Sequence, residues 1–86
     1  MNHIPYRLVA VEWVDSYGCG SVWSELPDTA PAHHCYSVGW LVRQSDDVVV
    51  IVPHLSPPHA DIGAEEQGCG DMTIPRVAIV EMRDLQ

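Results

Sequence analysis

Apolar and polar residues alternate with a period of two along much of the chain, and that period predicts strands rather than helices. In YRLVAVEWVD, residues 6–15, Val9, Val11 and Trp13 share one face. Leu8, Ala10 and Val14 share the other, so the segment is buried on both sides or strongly bent. HHCYSVGWLVRQ, residues 33–44, sets Tyr36, Val38, Trp40 and Val42 against Cys35, Ser37, Gly39 and Leu41. A glycine in mid-strand, at 39, points to a bulge or a sharp bend. SDD, residues 45–47, then turns the chain into DVVVIVPHL, whose VVVIV is the densest β-branched run present. MTI, residues 72–74, is a short fourth strand ended by Pro75, PRVA makes one tight turn, and IVEMRDL, residues 79–85, is the fifth strand. A helix starting at Pro75 competes for this last segment, because proline suits a first helical turn. The β-branched Val77, Ile79 and Val80 favour strand instead. No helix longer than about two turns is expected anywhere. Trp13, Tyr36 and Trp40 sit at strand spacing and are expected in the core.

Two stretches lack a period. In residues 16–32, SYGCGSVWSELPDTAPA, Pro27 and Pro31 break any helix and Asp28 favours a turn. Trp23 and Leu26 are expected to fold back as a small lid, although Tyr17 and Trp23 could equally serve recognition. Residues 56–71, SPPHADIGAEEQGCGD, read as a loop, and loops of this length are usually functional or disordered. Five strands and two long loops predict a single all-β domain over residues 1–86, a small five-stranded SH3-like or Sm-like barrel. Successive strands reverse direction, which puts both long loops at one end.

Composition narrows the function. The 86 residues suffice for one domain, carry no phenylalanine, and have a net charge of −8. All four bases are arginines, at 7, 43, 76 and 83, against 12 acids. Such a balance disfavours nucleic acid and anionic membranes and suits a basic partner or simple solubility. No apolar run approaches a membrane span, and MNHIPYR has no secretory pattern, so a cytoplasmic setting is expected. Three cysteines cannot all pair within one chain, which implies free thiols in a reducing compartment.

The chemistry on offer is sparse. Gly-Cys-Gly occurs at 18–20 and 68–70, and the meander could bring Cys19 and Cys69 near His33, His34 and His59. A Cys–His nucleophile, or a composite zinc site with Cys35, could be assembled from these in space. The surrounding Asp15, Glu25, Asp28, Asp61, Glu65, Glu66 and Asp71 disfavour a thiolate, and the glycines read as backbone geometry. His54, between Pro53 and Leu55, reads as structural. No phosphate loop, dinucleotide fingerprint, metalloprotease helix or serine elbow is present. The expectation is a non-enzymatic protein with no metal and no cofactor. Its binding surface would hold Tyr17, Trp23, Glu25, Asp28, Asp61, Glu65 and Glu66. The alternative is a small-molecule or nucleotide-binding barrel that sequesters a signalling ligand, with Arg7, Arg43 and Arg76 as its phosphate contacts.

VEWVDS at 11–16, SVGWLV at 37–42, VVVIVPHL at 48–55 and GCGDMTIP at 68–75 together resemble a family of small uncharacterised proteins encoded by phages and prophages. The match spans most of the chain and transfers no catalytic residue. It implies a bacterial host cytoplasm and a partner that is a host protein with a basic surface, defence systems included. It leaves a homo-oligomer open.

Overall fold

The alternating stretches form seven strands in the computed structural model of the protein, which describes residues 4–18 and 20–86. They are β1 (Leu8–Asp15), β2 (His33–Gln44), β3 (Val48–Val52), β4 (His54–Ser56), β5 (Gln67–Cys69), β6 (Met72–Pro75) and β7 (Ile79–Asp84). Five of them form an antiparallel sheet in the order β6-β3-β2-β1-β7, so the last strand lies beside the first. The strand reading of 79–85 holds, and the competing helix reduces to one 3-10 turn at Arg76–Ala78.

Two expectations are corrected. The segment 56–71 is not a plain loop, since β4 and β5 pair as a separate antiparallel ribbon with His54 opposite Cys69 and Ser56 opposite Gln67. Pro53 causes the split by ending β3, because it has no N–H to donate to a ladder. The ribbon's tip is closed by mutual backbone hydrogen bonds between His59 and Ala64, and it turns through Gly63 at φ 65°. The second correction concerns closure. The main ladder stops at β6 on one side and β7 on the other, so the sheet is open and forms no closed barrel.

The 12-residue β2 is shared by two halves of the sheet. Its first part pairs with β1, from Asp15–His33 to Leu8–Trp40. Its second part pairs with β3, from Trp40–Val52 to Gln44–Val49, with a register shift between Leu41 and Arg43. Only Trp40 is paired on both sides, so β1 and β3 overlap along β2 at this one position. Gly39 lets the two strands approach there: a Cβ at this position would stand 2.8 Å from the Val52 carbonyl oxygen.

The same contact decides which side of β2 faces inward. Val9, Val11, Leu41, Val49, Ile51 and Ile74 form the buried core, with Trp13, Ile79 and Met82 packed against it. Val9 pairs with Gly39, Val11 with Ser37 and Trp13 with Cys35, so the small residues of β2 share the core side. The Trp13 indole N–H donates to Ser37 Oγ at 3.0 Å. Tyr36, expected in the core, is 75% exposed and Val38 is 56% exposed. Val52, on the other side of β3, is buried beneath the ribbon, where a Cβ on Gly68 would come within 3.3 Å of its Cγ1.

Arg76 ties the far end together. Its backbone N–H donates to Asp47 O at 2.8 Å, and its guanidinium donates to Gln44 Oε1 and Ser45 O. Among the described residues no helix is long and apolar enough to cross a membrane.

Candidate functional site

Residues 16–32 leave the end of β1 and return at the start of β2 as an arm. Every described residue from Asp15 to His34 is exposed. Tyr17 fastens the base: its hydroxyl donates to the Pro31 carbonyl at 2.5 Å, and its ring lies 5.6 Å from that of His33. Beyond this clasp Val22 is 77%, Leu26 91% and Trp23 103% exposed. The expected lid is therefore absent, and Trp23 plugs nothing. Pro27 and Pro31 remove two backbone donors and hold φ near one value, which keeps the return leg extended.

The arm stretches the molecule to 62 × 26 × 22 Å, with a radius of gyration of 17.5 Å. A compact chain of this length has about 12 Å. Glu25 and Asp28 flank the apolar tip. Asp15, Tyr17, Glu25, Pro27 and Thr29 help to line a concavity of about 670 Å³ on the arm's inner side. What this arrangement offers chemically is an apolar anchor surrounded by carboxylates.

The other acids of the expected surface belong to the ribbon. Asp61 and Glu65 sit at its tip. Glu66 instead accepts a hydrogen bond from the Tyr6 hydroxyl at 2.6 Å, which fastens the segment before β1 to the ribbon. That bond to a carboxylate raises the Tyr6 pKa above the ordinary value of 10.0, while nearby Arg43 pulls the other way. Tyr6, Arg43, Leu55, Glu66 and Asp71 border a groove of about 290 Å³ between ribbon and sheet. The roots of arm and ribbon are separated along β2 by the seven residue steps from His33 to Trp40, about 23 Å of strand. The two loops leave in the same sense, but their roots do not adjoin.

The cysteine–histidine cluster is likewise dispersed. His33 faces Tyr17, while His34 Nδ1 lies 2.7 Å from Glu12 Oε2. His54 opposes Cys69, and His59 opposes Ala64. Cys19 lies outside the described residues. Among those described, no three or more His, Cys, Asp or Glu side chains gather closely enough to hold a metal ion. Cys35 and Cys69 are free thiols.

The three arginines suggested for phosphate binding serve three different places. Arg7 pairs with Asp84 at 2.7 Å, Arg76 clamps the β2–β3 turn, and Arg43 donates to the Val42 carbonyl beside Tyr6. They do not converge on one pocket.

Sequence reasoning missed the outer face of the β7-β1-β2 half. There Tyr36 and Val38 lie exposed, and a shallow groove of about 240 Å³ runs over Ala10 between them and Glu81 and Arg83. The signal was available in Gly39, since the face that carries a glycine tolerating backbone contact is the crowded one. Compared with family models, curated proteins and solved structures, the chain matches none.

Proposed function

We propose that this protein is a non-enzymatic accessory protein of phage or prophage origin that binds a basic surface of a host protein in the bacterial cytoplasm, a defence component being the expected class. The bent five-stranded meander, with its last strand beside the first and a 3-10 turn before that strand, fits an SH3-like scaffold. In such a scaffold the long first loop is a natural place for recognition.

The observation that carries the reading is the arm. Three apolar side chains, one of them a tryptophan, stand free of their own chain between carboxylates, in a protein of net charge −8. Tryptophan is among the residues most enriched in the energetic centres of interfaces. Rim carboxylates would steer a basic partner and set the salt dependence of association, while Trp23 would govern how long the complex lasts. The separation of the arginines favours this reading over a phosphate-binding pocket.

The test is capture from host lysate at low and high salt, with the wild type beside Trp23→Ala and Glu25→Lys/Asp28→Lys. A basic protein retained by the wild type and lost with both variants, each still folded, supports the reading. Equal retention by all three defeats it.

A further inference from the structure

The outer face of the β7-β1-β2 half is an unpartnered sheet surface whose charges do not match within the chain. Its register defines two neighbouring rows. One row is Arg83–Ala10–Val38 and the next is Glu81–Glu12–Tyr36. Glu81 and Glu12 lie directly opposite each other, an arrangement of like charges that weakens a strand pair. His34 meets Glu12, but among the described residues no ion pair forms at Glu81. Among the described residues Arg83 makes no ion pair, since the two that form are Arg7–Asp84 and His34–Glu12. The β2 side of the same rows is apolar and exposed, through Tyr36 and Val38.

We infer that this face is covered by a second copy of the chain, in a two-fold dimer whose axis crosses the strands at the level of Val11. That operation lays the face on itself, keeps each strand over its own counterpart, and exchanges the two rows. Arg83 of each copy then meets Glu81 of the other, and Tyr36 of each meets Val38 of the other. Two Arg83–Glu81 pairs and two Tyr36–Val38 contacts result, as an isologous interface requires, with Glu12, held by His34, facing Ala10 of the other copy on the central strand. The like-charge opposition of Glu12 and Glu81 is relieved by the incoming guanidinium.

Strands in the two copies run oppositely, so the arms leave at opposite ends and stay clear of the interface. The dimer is thus independent of what the arms bind.

Sedimentation equilibrium at about 100 μM, where a micromolar complex is nearly all assembled, tests the inference. The wild type is expected at twice the chain mass of 9.5 kDa. Arg83→Glu and Glu81→Arg, each alone, bring like charges together across the axis and are expected to sediment as monomers with unchanged circular dichroism. Mixing these two variants in equal amounts is expected to restore a dimer, because one chain then carries two acids and the other two arginines at the facing positions. The double variant within one chain is expected to dimerise again. A monomeric wild type, dimeric single variants, or a mixture that stays monomeric overturns the proposal.

Discussion

Gly39 and Val52 approach so closely that any side chain at residue 39 forces the strands to shift: a Cβ would lie 2.8 Å from the Val52 carbonyl oxygen and 3.0 Å from its carbonyl carbon. The neighbour is backbone in a paired strand and has little room to retreat. Gly39→Ala is expected to cost about 1–3 kcal/mol, as overpacking does elsewhere. Urea unfolding followed by tryptophan fluorescence reads the loss as a lower midpoint with an unchanged slope.

Ser37 accepts from the half-buried Trp13 indole and itself reaches Met72 Sδ at 3.6 Å. Ser37→Ala leaves the indole N–H without its acceptor at the edge of the core. The expected cost is about 1–2 kcal/mol, measured by the same unfolding curves.

Tyr6 gives a pH dependence of definite sign. Its hydrogen bond to Glu66 favours the neutral phenol in the folded chain, so the folded pKa stands above the unfolded value. The contribution to stability is therefore fully present below about pH 10 and is lost as pH rises through the raised folded pKa. Alkaline titration of tyrosinate absorbance is expected to show one late-ionising phenol. Tyr6→Phe should remove that component, and Glu66→Gln should return it towards the ordinary value. A titration in which neither substitution moves the late component would sink the assignment.

No described residue of the arm is buried, so the loss of residues 20–30 should be cheap for folding. Replacing residues 20–30 with a short Gly-Ser turn is expected to change stability by less than about 1 kcal/mol, within the range of surface changes. Thermal melting checks this. Partner capture should vanish in the same protein.

How much was legible follows from which forces act locally. Alternation and β-branching located the five main strands, because the 2.0-residue period is a property of the strand itself. Pro75 and the turn at 45–47 were legible for the same local reason. The inward side of β2 was not, because Tyr36-Val38-Trp40-Val42 is the more apolar set and tertiary contact overrode it. The crowding of Gly39 against Val52, far away in sequence, put Cys35, Ser37 and Leu41 inside. The β4–β5 ribbon was hidden because its strands have three residues each, too few to show a period. At the candidate site, the aperiodic stretch 16–32 was legible as a loop, but its outward projection was not, and the exposure of Trp23 removes the expected lid. The stagger of arm and ribbon was illegible, since it depends on where β3 meets β2.

The placement of β7 against β1 has a consequence during synthesis. The earliest strand to leave the ribosome waits for the latest, since Val9 pairs with Asp84 and Leu85 N–H donates to Leu8 O. Until β7 has cleared the exit tunnel, β1 has one free edge, and Trp13 and Val11 lack the cover of Ile79 and Met82. The β1 edge is therefore made long before the strand that covers it, and this part of the sheet, the one with the greatest sequence separation, is completed last.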